Sequence, residues 1–383
     1  MELETNLIYC GDNLEVLSML PEKSVDLIYA DPPFFSNKNY EIIWGDGAEQ
    51  TAYSDRWKGG ISVYIEWMKE RLWQCYRVLK DTGSMYLHCD WHANAHLRIL
   101  MDRIFGENNF QNEIIWCYAS GGASKRRFAR KHDNIFYYTK TDSYTFNVMR
   151  EPYATPDVEG RMGFHPDGRM LTDVWPISFL STTSKERTGY PTQKPEALLR
   201  RIIEASSNKG DTILDLFCGC GTTLSVAHQL GRKWIGIDVS PVACTLMRNR
   251  LNGIGASDAR IIGAPKTIDE LKALDPFQFQ NWVIDRIGGL PSAKKSGDMG
   301  IDGYTFMVRE PVQVKQSEGV GRNVVDNFET AIRREHKTIG YIIAFSFVKS
   351  AYEEAARARL QDNLDVKLVC VEEMDKYFGG MST

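Results

Sequence analysis

Long apolar runs are missing from this 383-residue chain. The longest, Ile339–Val348, is strand-sized and far short of the roughly 20 residues that a membrane-crossing helix needs. A strong charge of one sign is missing too: the formal net charge is −4, and residues 265–383 carry 16 basic and 18 acidic side chains, so neither part is globally basic. An acidic partner such as nucleic acid would therefore have to be met by a local patch. Cysteine is sparse, with eight in the chain, which excludes a disulfide scaffold. The one close pair, Cys218 and Cys220, has a single residue between its members, against the two or more of a zinc site. The N-terminus is acidic and has no apolar signal core, so a cytoplasmic protein with no membrane partner is expected. What is present is ordinary globular usage, 43% apolar and 25% charged, which excludes disorder and collagen. The length allows two or three domains.

The pattern from Leu7 to Phe34 reads strand, helix (Asn13–Leu20), strand (Val25–Ala30). It continues with a helix over Ile61–Leu79, a strand over Ser84–His88 and a helix over Trp91–Phe105 stopped by Gly106. Residues 120–190 are rich in Gly, Pro, Ser, Thr and Arg with weak periodicity, and read as an insertion carried by the sheet. Regular structure resumes after Pro195, with strands at Thr212–Leu216 and Trp234–Asp238 alternating with helices. This alternation predicts an α/β, Rossmann-like domain with a mostly parallel sheet. A boundary is expected near residue 265, giving domains over residues 1–264 and 265–383.

Strand Thr212–Leu216 runs into Phe217-Cys218-Gly219-Cys220-Gly221-Thr222-Thr223 and then a helix. A glycine turn there lets a ligand approach backbone amides at the helix N-terminus. Asp238 ends the next strand, where a carboxylate can accept both hydroxyls of an adenosyl ribose. The loop alone fits a dinucleotide or S-adenosylmethionine, although Leu224 stands where the third fingerprint glycine would be. Asp31-Pro32-Pro33-Phe34 decides between them. Two prolines remove two amide donors and leave carbonyls pointing outward. The Asp31 carboxylate and the Pro32 carbonyl can together accept both hydrogens of an exocyclic amine while Phe34 stacks on its ring. Such acceptors draw a delocalised nitrogen toward tetrahedral geometry and free its lone pair for attack on a sulfonium methyl, with no metal required.

Taken together, these motifs resemble the beta-order DNA amino-methyltransferases, in which the catalytic motif precedes the cofactor loop. Further matches are Cys10-Gly11-Asp12-Asn13, Leu87-His88-Cys89-Asp90-Trp91, Asn112–Trp116, Lys131–Tyr137 and Tyr190–Pro195, covering roughly residues 5–260. The resemblance implies that Asp215–Thr223 and Asp238 bind S-adenosylmethionine, that Asp12 lies by the cofactor, and that Thr192, Gln193 and Lys194 flank its methionine end. Cys220 stands where the family often has Ser. Aspartate at position 31 favours adenine, since members acting on cytosine usually carry Ser there. Family members often pair as homodimers, although no interface signature is visible here. The spacing of His88, His92 and His96 suggests a metal ladder, but a strand histidine and two helical ones need not share a face.

A duplex amine must be flipped out to react, so double-stranded DNA is the expected partner. Lys125, Arg126, Arg127, Arg130 and Lys131, with Phe128 among them, are expected to contact phosphates. The stretch 141–189 is the expected target-recognition region, with Arg150, Arg161, Arg169, Lys185 and Arg187 as candidate readers. Beyond residue 265, a strand over Tyr304–Val308 and another over Val312–Lys315 follow Asp302, with Gln313 and Lys315 on one strand face. That set suits Mg²⁺ and a scissile phosphate, with Asp302 as metal ligand. Residues 270–375 are similar to Mrr-like restriction endonuclease domains of the PD-(D/E)xK superfold. One departure is Phe279-Gln280, where that family often has Phe-Glu, which removes a carboxylate from the metal site. The chain therefore reads as an adenine methyltransferase fused to a nuclease. A non-catalytic DNA clamp, a cytosine amino-methyltransferase and an RNA methyltransferase remain as alternatives.

Overall fold

Short apolar segments bounded by polar turns build a nine-stranded and a five-stranded sheet, with two small strand pairs beside them. The computed structural model describes all residues except 1–2, 37, 44–48, 56, 58, 119–123, 154–164, 182, 189, 191, 293–299, 306–307 and 379–383. The chain divides into two compact units, Met1–Asn39 with Ser54–Thr188 and Thr192–Ala264, and Tyr40–Tyr53 with Gly189–Pro191 and Pro265–Thr383.

In chain order the strands up to residue 264 are β1 (Leu7–Cys10), β2 (Val25–Ala30), β3 (Lys38–Ile43), β4 (Glu49–Asp55), β5 (Leu79–Cys89), β6 (Phe110–Cys117) and β7 (His132–Thr139). They continue with β8 (Arg150–Glu151), β9 (Arg169–Met170), β10 (Val174–Pro176), β11 (Thr212–Asp215), β12 (Lys233–Asp238) and β13 (Arg260–Ile262). The helices are α1 (Asn13–Met19), α2 (Ile61–Val78), α3 (Asn94–Phe105), α4 (Glu196–Ser206), α5 (Thr222–Gln229) and α6 (Pro241–Gly253). Nine strands form one sheet in the order β10-β6-β7-β5-β2-β11-β12-β1-β13, while β3 with β4 and β8 with β9 pair separately. All neighbours in the large sheet are parallel except those of β7, which runs against both β5 and β6. One face buries Val16, Leu72 and Met101 of α1–α3, the other Leu199, Ile202, Leu224 and Met247 of α4–α6. Both faces are covered, so β2 reads as a nearly continuous apolar run.

Local chemistry explains several boundaries. Ser240 caps α6 by accepting from the Ala243 amide, and Pro241 supplies the first helical residue; such a cap is worth about 1 kcal/mol. The third helix begins at Asn94, later than the expected Trp91, because the Asp90 carboxylate accepts the His92 amide and holds residues 91–93 in a turn. The fifth strand is longer than the expected Ser84–His88, since Leu79 also pairs with Val25 across a register shift. The largest correction concerns the expected insertion: β7 lies within residues 120–190 yet is buried in the main sheet.

The second unit contains α7 (Ile268–Ala273), α8 (Pro276–Arg286), β14 (Leu290–Pro291), β15 (Gly303–Tyr304), β16 (Pro311–Lys315), α9 (Arg322–Arg334), β17 (Ile339–Ala344), α10 (Lys349–Asp362), β18 (Asp365–Cys370) and α11 (Met374–Phe378). Its sheet runs β14-β15-β16-β17-β18, antiparallel through β16 and parallel from β16 to β18. Phe279, Val283 and Ile284 of α8 cover one face with Val312 and Val314; Val325, Phe328 and Ile332 of α9 cover the other. The β15 strand spans two residues instead of the expected Tyr304–Val308, because the chain turns early: the Thr305 amide donates to the Glu310 carbonyl, and Arg309 takes a positive φ.

Candidate active site

Two neighbouring strands diverge at the centre of the large sheet. From β2 the chain leaves toward β5, and from β11 toward β12, so their carboxyl ends flank the crevice where open α/β sheets hold ligands. Asp31 follows β2 directly. Its Oδ2 is paired with the Lys194 ammonium, which also stands 5.4 Å from the centre of the Phe34 ring. Its Oδ1 is buried and accepts no hydrogen bond. Pro32 is buried, Pro33 and Phe34 are half-buried, and the next residue, Phe35, takes a positive φ that a bulky side chain rarely adopts.

Beside Asp31 lies a group that sequence reasoning missed. His88 is the last but one residue of β5, one beyond the Ala30–Leu87 register pair, and is fully buried. Its Nδ1 is 3.6 Å from Asp31 Oδ1 and 2.9 Å from the Tyr29 hydroxyl. Its Nε2 is 3.4 Å from Asp133 Oδ2, and Asp133 Oδ1 accepts from the Tyr118 hydroxyl at 3.0 Å. The Phe34 ring centre is 5.3 Å from that of His88. The three histidines do not form a ladder: His92 turns back onto Asp90 at 2.7 Å and His96 is exposed.

The β11–α5 loop forms the second wall. Asp215 is buried and accepts the Phe217 amide at 3.0 Å. Gly219 and Gly221 take positive φ, and a Cβ on Gly221 would lie 2.7 Å from Met247 Cγ, so glycine is required there. Asp238 accepts the Gly219 amide at 2.8 Å and the Ser240 amide at 2.9 Å. Burial pushes the Asp215 carboxyl up to about 7, with the Asp31 and Asp238 charges adding to it. Burial likewise raises Asp238 to about 6, against the pull of its two amide donors. Cys218, Cys220, Thr222 and Thr223 are buried, and Thr222 Oγ1 accepts from Arg250 at 3.0 Å. Asp12 caps α1 by accepting the Leu14 amide and pairs with Arg71 at 2.7 Å. The neighbouring Asn13 donates to the Leu216 carbonyl at 3.0 Å, tying the two loops together.

Residues 192–194 do not act as one unit. Thr192 takes a positive φ, and Gln193 folds back onto Thr188 and the Glu186 carbonyl. Lys194 alone reaches the crevice, on Asp31.

The basic segment 124–131 joins β6 to β7. Because β7 runs against β5, with Cys89 opposite Asn134, this loop leaves the sheet at the same edge as Asp31. Lys125, Arg126, Arg127 and Arg130 are exposed and Lys131 is half-buried. Arg130 stacks 3.4 Å over Trp91, and Phe128 is 98% exposed. Arg150 and Arg169 are engaged locally, with the Gly168 carbonyl and Glu151, whereas Lys185 and Arg187 are exposed. Arg161 lies outside the described residues.

In the second unit, Asp302 Oδ2 accepts the Val314 amide at 2.6 Å, and Gln280 Nε2 donates to the Asp302 carbonyl at 3.4 Å. Gln313 is buried on the face opposite Val312 and Val314, its Oε1 without a hydrogen bond, and Lys315 is half-buried at the strand end. Asp326, Glu329 and Glu354 also gather between α9 and α10. Arg357 and Arg333 pair with Glu329, and Arg322 and Arg357 with Glu354, so this group is an internal ion network.

A protein-family model described as a DNA methylase, of the N6/N4 methyltransferase type, matches residues 25–249. The type II methyltransferase M.HpaI of Haemophilus parainfluenzae is 32% identical over 285 residues, covering 73% of this chain and 84% of that protein. The chain is an N6/N4 DNA methylase. The DNA adenine methyltransferase YhdJ of Escherichia coli is also similar to this methylase, 34% identical over 260 residues, covering 62% of the chain and 79% of YhdJ. Among solved structures, a PvuII DNA methyltransferase described as cytosine-N4-specific aligns with 67% of the methylase and 97% of that chain at a TM-score of 0.49 and 17% identity. The family match spans Asp31, the glycine loop and Asp238 and ends before residue 265.

Proposed function

We propose that this methylase transfers the methyl group of S-adenosylmethionine to the exocyclic amine of adenine in double-stranded DNA. The observation that carries the reading is Asp31 at the carboxyl end of β2, with a buried Oδ1 that accepts no hydrogen bond, beside a glycine loop at the mouth of β11. The residues present fit the cofactor. A Cβ on Gly11 would meet open space, Gly219 and Gly221 keep the loop backbone bare, and Asp238 offers a carboxylate at the adjoining strand end. Asp12, Asp215, Phe217, Cys218, Gly219, Cys220, Gly221, Thr222, Thr223 and Asp238 would hold it, and it would supply an electrophilic methyl group. Asp31 and the Pro32 carbonyl accept the two amine hydrogens, and Phe34 stacks on the base. Lys194 neutralises Asp31 until the amine arrives and then yields part of the carboxylate to it. The exposed cations of the 124–131 loop, at the same sheet edge, hold the duplex phosphates while the base is turned out.

Aspartate at position 31 and the similarity to an adenine methyltransferase favour adenine. Labelled methyl transfer to plasmid DNA, followed by digestion to nucleosides, tests this: label in N6-methyl-2′-deoxyadenosine is expected. Label in N4-methylcytosine, or in RNA alone, would replace adenine with the alternative substrate.

A second activity is favoured by the order of elements in the second unit. In a run of one helix, antiparallel β14-β15-β16, a helix and then a parallel strand, Gln280 donates to the Asp302 carbonyl and the Val314 amide to Asp302 Oδ2, and the strand of Val314 also carries Gln313 and Lys315. Gln313 Oε1, a buried acceptor without a donor, is the kind of atom that a Mg²⁺ ion would satisfy. We infer a metal-dependent DNA-cleaving domain. Incubating unmethylated DNA with the full chain and Mg²⁺ or Mn²⁺ tests it, and intact DNA in both metals would favour a DNA clamp instead.

A further inference from the structure

We propose that His88, held by Asp133, takes up through Asp31 the proton that the target amine loses on methylation. This rests on the role given to Asp31 above. An amine that attacks a methyl group becomes a cationic nitrogen carrying one hydrogen too many. One N–H bond must break, its electron pair staying on nitrogen, and the proton needs an acceptor.

Asp31 Oδ2 is engaged by the Lys194 ammonium. Oδ1 is the free oxygen, and the group in front of it is His88 Nδ1 at 3.6 Å. Asp133 can only accept, so a neutral His88 carries its hydrogen on Nε2 toward Asp133 Oδ2, 3.4 Å away. That tautomer leaves the Nδ1 lone pair unprotonated, with Asp31 Oδ1 3.6 Å and the Tyr29 hydroxyl oxygen 2.9 Å from the nitrogen. Burial opposes ionisation of Asp133, but the His88 ring, the Lys194 charge and the Tyr118 hydroxyl outweigh it and hold the carboxyl below the usual range. It therefore stays an acceptor.

In the step itself, the nitrogen–hydrogen bond breaks and an O–H bond forms at Asp31 Oδ1. The proton then passes to Nδ1, giving an imidazolium between two carboxylates and an Asp31 ready for another turn. The arrangement of base and orienting carboxylate is that of a His–Asp pair in acyl transfer, reached here through a second carboxylate. The charged and titratable groups facing His88 are Tyr29 and Asp31 from the β2 side and Asp133 from β7, with Lys194 reached through Asp31 and Asp90 two residues along. Trp116 of β6 adds only an aromatic edge. His88 and Asp133 are thus positioning residues that act through Asp31.

The test is single-turnover methyl transfer by the full chain at saturating S-adenosylmethionine, from pH 5 to 9, for wild type, His88→Gln, Asp133→Asn and Asp31→Ala. Cofactor affinity is measured alongside. The wild-type rate should fall in acid. His88→Gln should be at least about tenfold slower at pH 8, the low end of what a positioned base contributes, and should lose that acid limb, with cofactor affinity within twofold. Asp133→Asn stabilises the imidazolium less and should move the limb to lower pH. This variant decides the matter if His88→Gln does not fold. A His88→Gln rate equal to wild type, a slower rate with the acid limb unchanged, or an unmoved limb in Asp133→Asn would overturn the relay while leaving Asp31 in place. Wild-type transfer by Asp31→Ala would instead remove the reading on which the relay rests.

Discussion

Replacing Asp215 by asparagine should stabilise the cofactor-free protein at alkaline pH and do nothing in acid. Asp215 is buried at the end of β11 and faces the Asp31 and Asp238 charges, and burial above all lifts its carboxyl to about 7. The unfolded chain loses this proton near the ordinary value of about 4. The folded chain holds it more tightly, so the stabilisation is complete below about pH 4 and is lost as the pH rises through about 7. Each pH unit across that window is worth about 1.4 kcal/mol, so an ionised Asp215 costs the fold roughly 4 kcal/mol at pH 8. Asparagine keeps the shape and still accepts the Phe217 amide, which the aspartate bonds at 3.0 Å. At roughly 2–4 °C per kcal/mol, the variant should melt about 8–16 °C higher at pH 8, with little change at pH 4. Scanning calorimetry of both proteins at pH 4, 6 and 8 measures it. An equal or lower melting temperature at pH 8 would refute the reasoning and mean that Asp215 meets a compensating charge or water in solution. The same carboxylate gains a role once a sulfonium cation is nearby, so the variant should bind S-adenosylmethionine more weakly despite its stability.

Asp238→Ala should raise the dissociation constant for S-adenosylmethionine tenfold or more, since charge-assisted hydrogen bonds are worth about 1.5–3 kcal/mol each. Titration calorimetry reads this, and in wild type the affinity should weaken as the pH falls through about 6, where Asp238 protonates. Changing Lys125, Arg126 and Arg127 together to alanine should weaken binding to every DNA sequence alike and flatten the log–log salt dependence by up to about three units; a loss confined to one sequence would mean that the loop reads bases. Lys315→Ala should abolish Mg²⁺-dependent cleavage while leaving methyl transfer at the wild-type rate, measured on the same DNA.

Sequence alone determined what is local along the chain. The glycine loop between Thr212–Asp215 and α5, and Asp238 at the next strand end, form one βαβ step, so periodicity and turn residues locate them without any knowledge of distant parts. The apolar run ending at Asp31 likewise announces a buried strand and its carboxyl edge. Helix ends shifted by a few residues wherever a side chain such as Asp90 competed for the backbone. Tertiary structure decided what depends on register and strand direction. His88 meets Asp31 because β2 and β5 pair with Ala30 opposite Leu87, and Asp133 reaches the same imidazole because β7 runs backward beside β5. Lys194 arrives on Asp31 from 163 positions away. A polar residue at the end of an apolar strand looks the same in sequence whether it faces solvent or a carboxylate, since alternation reports which face is buried and not which neighbour is met. Only the assembled sheet, with both faces covered, brings those separated side chains to one place.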